Sequence, residues 1–76
     1  MLVIYSKEKC QQCDSAKLLC QIKGVEFTVK MLDTDFVKED LIHISPKARS
    51  FPVITLNNEY IGGLNSLQQL LNGDKL

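Results

Sequence analysis

The segment Leu2-Val3-Ile4-Tyr5-Ser6-Lys7-Glu8-Lys9-Cys10-Gln11-Gln12-Cys13 decides the fold, because it joins an apolar strand to a cysteine pair. Residues 2–5 are short, apolar and partly β-branched, which predicts a buried strand, and residues 6–9 predict a loop. Helical periodicity begins at Cys10, so Cys10 and Cys13 lie where a strand leads into a helix N-terminus. Backbone N–H groups there favour a thiolate, and the pair therefore predicts thiol–disulfide exchange.

Length and charge limit the class of protein. The 76 residues predict one domain, residues 1–76, with a modest core. Nine basic and nine acidic residues cancel, so no nucleic-acid partner is expected. No run approaches the ~20 apolar residues that span a membrane, and the first apolar run is too short for a signal peptide. Three cysteines do not fit a secreted disulfide scaffold. We expect a cytoplasmic monomer with no membrane partner.

Apolar spacing predicts a first helix over residues 10–23, with Gly24 as a left-handed cap. Its apolar face is expected to contain Cys13, Ala16, Leu18, Leu19, Cys20 and Ile22, on a stripe that runs to Lys23. Residues 27–31 alternate between apolar and polar side chains, which predicts a half-buried second strand.

The second helix is expected to be capped within Asp33-Thr34-Asp35 and to end at Pro46. Its weaker apolar stripe contains Phe36, Val37, Leu41 and Ile44. Residues 53–56 and 59–61 predict a hairpin that turns at Asn57-Asn58, because asparagine tolerates positive φ. After Gly62-Gly63, the pair Asn65 and Gln68 resembles a capping box that opens a third helix.

The predicted order is β-α-β-α-β-β-α, an α/β fold with three helices and one four-stranded mixed sheet. The first two strands need a right-handed crossover and should be parallel, whereas the last two should form an antiparallel hairpin.

This order, with C-x-x-C after the first strand, resembles the thioredoxin-like fold, and within that fold the chain resembles a glutaredoxin. The resemblance rests on three segments in the right order: residues 5–13, Ser50-Phe51-Pro52-Val53, and Ile61-Gly62-Gly63-Leu64-Asn65-Ser66-Leu67. It implies a glutathione-linked thiol–disulfide oxidoreductase that reduces protein disulfides or glutathione mixed disulfides. Glutathione is then a co-substrate, with no tightly bound cofactor and no metal, and ribonucleotide reductase is an electron acceptor that the resemblance implies.

The resemblance also implies roles for individual residues. Cys10 is the exposed nucleophile and Cys13 the buried thiol that resolves the mixed disulfide. Pro52 matches the family's cis-proline, which faces the dithiol. The glutathione- or peptide-binding residues implied in the same way are Lys7, Gln12, Phe51, Pro52, Gly63, Leu64, Asn65 and Ser66.

Two departures leave the reductant open. Gln11-Gln12 stands where the family has Pro-Tyr, and Asn65-Ser66 stands where an acid often meets the glutathione amino group. A glutamine before the second cysteine resembles the glutaredoxin-like donors of ribonucleotide reductase, which thioredoxin reductase reduces. Against that alternative, Tyr60-Ile61-Gly62-Gly63 lacks the aromatic-Ser-Gly-Phe segment of those donors.

The sequence also leaves open functions other than thiol–disulfide exchange. Cys10, Cys13 and Cys20 with His43 supply four nominal zinc ligands, but no second tight ligand pair is present. An iron–sulfur cluster shared between two monomers is a related alternative. A non-catalytic binding module would keep the C-x-x-C as a passive disulfide, with a Cys10 of ordinary acidity. Cys20 is expected to be a small apolar core residue.

Overall fold

Seven elements follow one another across residues 1–48 and 50–73, the part of the chain that a computed structural model describes. The strands are β1 (Leu2–Ser6), β2 (Phe27–Met31), β3 (Val53–Leu56) and β4 (Glu59–Gly62). The helices are α1 (Gln11–Lys23), α2 (Lys38–Ile44) and α3 (Leu64–Gly73). The order β-α-β-α-β-β-α confirms the predicted fold class. No helix in this part of the chain is both long and apolar enough to cross a membrane.

The four strands form one mixed sheet in the order β2-β1-β3-β4. β1 runs parallel to β2, with Leu2 opposite Phe27, and antiparallel to β3, with Leu2 opposite Leu56. β3 and β4 form the predicted antiparallel hairpin. Its turn residues Asn57 and Asn58 have φ values of 52° and 69°, so the asparagine prediction is confirmed.

The core lies on both faces of the sheet, because successive side chains of β1 point to opposite sides. On one face, α1 and α3 pack over a cluster of Leu2, Ile4, Ala16, Cys20, Ile54 and Leu67. On the other face, Tyr5, Phe36 and Val53 form a smaller cluster, against which Leu41 and Ile44 of α2 pack. Burial on both faces explains why β1 reads as a nearly continuous apolar run.

The prediction for α1 was right for its end and wrong for part of its face. Gly24 caps the helix at a φ of 69°, as expected. Leu18 and Ile22, however, are 55% and 70% exposed. At about 100° per residue, Leu18 and Ile22 lie roughly opposite Ala16 on the helix. They therefore face away from the sheet and do not belong to the apolar face of α1.

The predicted cap of α2 was wrong. Asp33-Thr34-Asp35 forms a separate turn after β2, in which the Asp35 carboxylate accepts a hydrogen bond from the Met31 N–H at 2.9 Å. The helix begins only at Lys38, and the Asp40 carboxylate accepts from the Val37 N–H at 3.1 Å. Phe36 reaches the core from outside the helix because this turn, rather than a helical stripe, places it.

The predicted capping box of α3 was also wrong. The helix begins at Leu64, one residue before Asn65, and the Leu67 N–H donates to the Gly63 carbonyl at 3.0 Å. Asn65 is therefore a residue of the first turn, with its side chain exposed. Its position matters for the site rather than for the start of the helix.

Candidate active site

Cys10 is the residue that precedes α1, with an extended backbone at φ −113° and ψ 102°. Its Sγ accepts a hydrogen bond from the Cys13 N–H at 3.1 Å, the geometry of a side-chain N-cap. The residue is half-buried, so part of it remains open to solvent. A sulfur in this position lies at the positive end of the helix dipole and accepts a hydrogen bond from one backbone N–H. Both interactions stabilise negative charge on the sulfur.

Cys13 lies one turn further along and is fully buried, with 0% of its surface exposed. It forms a disulfide with Cys10, and the two Cα atoms are 5.2 Å apart. The same sequence spacing therefore gives two different thiols, one reachable from solvent and one enclosed by the fold. This asymmetry has the form that the family resemblance implies.

Phe51 and Pro52 form the second part of the site. The peptide bond between them is cis, as the resemblance implies, and Pro52 is buried. The Phe51 ring packs on Phe36 with ring centroids 6.4 Å apart, which anchors it to the core of the α2 face. Lys7 Nζ lies 5.5 Å from the Phe51 ring centroid, within cation–π range.

Gly62 and Gly63 bring the start of α3 close to Pro52. Gly62 has a φ of +127°, and a Cβ there would lie 2.6 Å from the Ser66 Cβ. A Cβ on Gly63 would lie 3.3 Å from the Pro52 carbonyl oxygen. Both positions thus keep the backbone close to its neighbours, and Gly62 also needs a conformation that L side chains rarely adopt.

An open cleft of about 340 Å³, which we call the α3 cleft, lies between these segments. Its lining is Gln12, Ser50, Phe51, Tyr60, Gly62, Gly63, Leu64, Asn65 and Ser66. Six of the predicted binding residues are thus brought together. Of the others, Lys7 lies over Phe51, and the Pro52 carbonyl oxygen lies close to Gly63. Neither cysteine lines the cleft, although Gln12, the residue before Cys13, does.

Three residues of this lining were not among the predicted binding residues: Ser50, Tyr60 and Gly62. For Tyr60 a signal was present, because Ile61 packs in the α1/α3 core and strand alternation puts Tyr60 on the opposite face. Ser50 and Gly62 belong to the quoted segments, but only the turn geometry shows that they face the cleft.

The remaining candidate ligands are not gathered. Cys20 is buried in the α1/α3 core, and burial raises the pKa of its thiol from the ordinary value of 9.0. His43 is exposed on α2. Within residues 1–48 and 50–73, no three His, Cys, Asp or Glu side chains lie close enough to hold a metal ion.

Comparison with known proteins agrees with this geometry. The glutaredoxin family model matches residues 2–61. Glutaredoxin 3 of Escherichia coli is 37% identical over 68 residues, which cover 88% of this chain and 81% of that protein. The crystal structure of wheat glutaredoxin has a TM-score of 0.80 at 28% identity, covering 97% of this chain and 73% of that one.

A buckwheat glutaredoxin solved in complex with glutathione has a TM-score of 0.77 at 25% identity, covering 95% of this chain and 69% of that one. Together with the Cys10–Cys13 disulfide, these matches define a thiol–disulfide oxidoreductase of thioredoxin-like fold. Within that class, the chain belongs to the glutaredoxin family.

Proposed function

We propose that the protein is a dithiol glutaredoxin in which Cys10 is the nucleophile and Cys13 the resolving thiol. The observation that carries the proposal is the asymmetry of the pair: Cys10 is half-exposed at the start of α1, whereas Cys13 is fully buried. A nucleophile must reach an incoming disulfide, and its thiolate must be stabilised before attack. The hydrogen bond from the Cys13 N–H to Cys10 Sγ supplies part of that stabilisation.

The proposed reaction transfers two electrons in two exchanges. The Cys10 thiolate attacks one sulfur of the substrate disulfide, which releases the first substrate thiol and leaves a mixed disulfide on Cys10. Cys13 then loses its proton and attacks the Cys10 sulfur, which releases the second substrate thiol and forms the Cys10–Cys13 disulfide. Because Cys13 is enclosed, it meets only a substrate already attached to Cys10.

We propose glutathione as the co-substrate that returns the oxidised pair to the dithiol. The α3 cleft supports this, since the N–H groups of Leu64, Asn65 and Ser66 in the first turn of α3 have no partner within the helix, a setting that suits a carboxylate. Lys7 over Phe51 offers a positive charge for a second carboxylate. The buckwheat glutaredoxin solved with glutathione adds a relative for which that ligand is known.

Reduction by thioredoxin reductase is the second candidate, and Gln12 favours it. Gln12 lines the α3 cleft where the family resemblance implies a tyrosine, so an aromatic contact to glutathione is lost from that side. Phe51 and Tyr60 line other walls of the cleft and offer aromatic surface there. A direct comparison of glutathione with thioredoxin reductase plus NADPH, both acting on the oxidised protein, decides between the reductants.

We further propose that residues 1–76 act as a single monomeric domain in the cytoplasm, where thiols are kept reduced. Disulfide-containing proteins are the proposed substrates, and ribonucleotide reductase is one candidate. Reduction of purified ribonucleotide reductase by the reduced protein, followed as deoxynucleotide formed per dithiol consumed, tests that candidate directly.

Substitution of each cysteine tests the assigned roles. Cys10→Ser is expected to lower the rate of thiol–disulfide exchange to the uncatalysed background for every substrate, because it removes the only thiol proposed to attack the substrate. Cys13→Ser should lose reduction of an intramolecular peptide disulfide. It should keep the transfer of glutathione from a glutathionylated peptide to Cys10, which releases the peptide thiol. Both activities are followed by acid quench and chromatography of the peptide thiols.

Cys20→Ala is the matched control, since Cys20 contributes a buried thiol outside the site and should leave both activities unchanged. Circular dichroism of all three variants checks that each is folded. Equal and complete loss of both activities in Cys13→Ser would contradict the role given to Cys10 as a thiol that can act alone.

A further inference from the structure

A second depression lies beside the active site, between α2 and the segment that leads into Pro52. We call it the α2 groove, and it has a volume of about 390 Å³. Its apolar lining is Leu41, Ile42, Pro46, Ala48, Phe51 and Val53. The polar members of the lining are Ser45, Ser50 and the exposed charged residues Lys38 and Glu39. The groove thus presents apolar side chains under a charged edge.

Ile42 is the most open of these apolar groups. Its side chain is 64% exposed, although it sits on a seven-residue helix whose other aliphatic residues, Leu41 and Ile44, pack against the core. Ile42 contributes little to the packed interior of the free protein. A ligand that covered it would remove apolar surface from water without having to displace any core contact.

The α2 groove is continuous with the α3 cleft. Ser50 and Phe51 line both depressions, so the Phe51 ring forms part of a wall shared between them. A polypeptide that occupies the α3 cleft can therefore extend past Phe51 into the α2 groove. The groove and the α3 cleft belong to one surface on the molecule.

Ser45 adds a polar group to this apolar site. The residue is 2% exposed, and its hydroxyl has no hydrogen-bond partner within residues 1–48 and 50–73. A buried hydroxyl left without a partner costs free energy, and it recovers that cost when a ligand supplies one. A backbone carbonyl of a bound chain is a suitable acceptor for this hydroxyl.

We propose that the α2 groove binds an aliphatic side chain next to the reactive cysteine of a polypeptide substrate, and so selects protein disulfides over small disulfides. The inference rests on the proposed dithiol function and names the substrate class of that site. Glutathione has no aliphatic side chain to place there, so its exchange depends on the α3 cleft alone. The α3 cleft thus binds glutathione, whereas polypeptide disulfides also use the α2 groove.

The test uses two synthetic peptides that each contain one intramolecular disulfide and differ only in carrying leucine or serine on both sides of one cysteine. Reduced protein in excess gives two electrons and two protons to the peptide, forming the Cys10–Cys13 disulfide while the peptide leaves as a dithiol. Rate constants come from acid quench and chromatography, without any added reductant. Bis(2-hydroxyethyl) disulfide is the small disulfide measured in parallel.

Ile42→Gln is the test variant and Ile22→Gln the matched control, because both isoleucines are exposed and both lie in the last turn of a helix. The wild-type protein and Ile22→Gln should reduce the leucine peptide about tenfold faster than the serine peptide, as expected for partial burial of one aliphatic side chain. Ile42→Gln should lose that preference. All three proteins should reduce the small disulfide at one rate.

Each outcome decides between distinct conclusions. If Ile42→Gln keeps the leucine preference, or if the wild-type protein has none while reducing the small disulfide, the groove proposal falls and the dithiol function stands. If the wild-type protein reduces none of the disulfides, the proposed function falls and the groove proposal falls with it. A dimer that Ile42→Gln dissociates would assign the groove to a second copy and overturn the substrate role.

Ser45→Ala separates binding from folding. Removal of a hydroxyl without a partner should leave the free energy of unfolding unchanged or raise it. The same change should lower the rate constant for the leucine peptide about threefold, with the small disulfide unaffected. An unchanged rate for the leucine peptide would show that the hydroxyl does not meet the substrate.

Discussion

Cys20 shows how burial separates the chemistry of one thiol from that of another in the same helix. It lies about two turns beyond Cys13 on α1, with 0% of its surface exposed, among aliphatic neighbours. Desolvation disfavours the charged thiolate, and burial therefore raises the pKa of Cys20 from its ordinary value. The residue thus acts in the fold as a small apolar group, which agrees with the sequence-based expectation.

The raised pKa of Cys20 predicts a pH dependence of stability. Above about pH 9.0, the thiol ionises in the unfolded chain, whereas the folded protein keeps this proton to a higher pH, so the unfolded state holds fewer protons. Stability must then fall as pH rises through that range, by up to ~1.4 kcal/mol per pH unit. Denaturant unfolding of the oxidised protein should show this extra loss relative to Cys20→Ala, in which the titrating thiol is gone. If the free energies of unfolding of the two proteins follow parallel curves up to pH 10.5, within ~0.3 kcal/mol, burial does not raise the pKa of Cys20.

Gly62 supports a second prediction at the residue scale. Its φ of +127° is strained for any L side chain, and an added Cβ would also run into Ser66. Gly62→Ala should therefore cost about 3 kcal/mol or more, the sum of backbone strain and a steric clash. Gly24→Ala separates the two effects, since Gly24 has a φ of +69° with nothing within 4 Å of an added Cβ. It should cost about 1 kcal/mol, and equal losses in the two variants would argue against the contact with Ser66.

At the scale of the element, the hairpin turn and the end of α1 were predicted well because local chemistry alone specifies them. Positive φ at Asn57 and Asn58 is a property of the asparagine pair, and Gly24 ends α1 by the same kind of local preference. The starts of α2 and α3 were predicted wrongly because residue types that suit a helix cap also suit other turns. Asp33 and Asp35 have the composition of a helix cap, yet they close a separate turn on Met31 at the end of β2, and α2 begins only at Lys38.

The hairpin turn can be tested through Asn58. Asn58→Gly should raise the free energy of unfolding by a few tenths of a kcal/mol, because glycine adopts the left-handed conformation without steric cost. Asn58→Ala should lower it by about 1 kcal/mol, since alanine in that conformation brings its Cβ against the following carbonyl. Denaturant titration of both variants measures the difference. A stability order with alanine above glycine would contradict the positive φ of 69° at this residue.

At the scale of the molecule, β1 joins the two packed faces of the sheet. Ile4 points into the α1/α3 core and the next residue, Tyr5, into the core of the α2 face, where its ring meets Phe36 edge-on at 5.2 Å. Phe36 in turn supports Phe51, so a chain of aromatic contacts leads from the central strand to the site. Neither face can lose its packing without disturbing the strand that both share. The sequence predicted the strand and its neighbours, but contacts between Tyr5, Phe36 and Phe51 depend on the turn at Asp33, which only the folded chain reveals.

This shared strand predicts that the described part of the molecule unfolds as one cooperative unit. Leu67 is fully buried on the α3 side, and Leu67→Ala should cost about 2–5 kcal/mol from lost burial and the cavity that remains. The chain contains no tryptophan, so tyrosine fluorescence reports on Tyr5 and Tyr60, which pack on the opposite face, while circular dichroism reports on the helices. Both signals should shift to the same lower denaturant midpoint.

If Leu67→Ala leaves too little folded protein to measure, Ile54→Val removes one methyl group from the same core at a cost of about 1 kcal/mol. In the contrary result, the dichroism midpoint falls while the fluorescence midpoint stays at the wild-type value. The α2 face, with Phe51 and the α2 groove, would then fold independently of the helices that carry the cysteines and the α3 cleft.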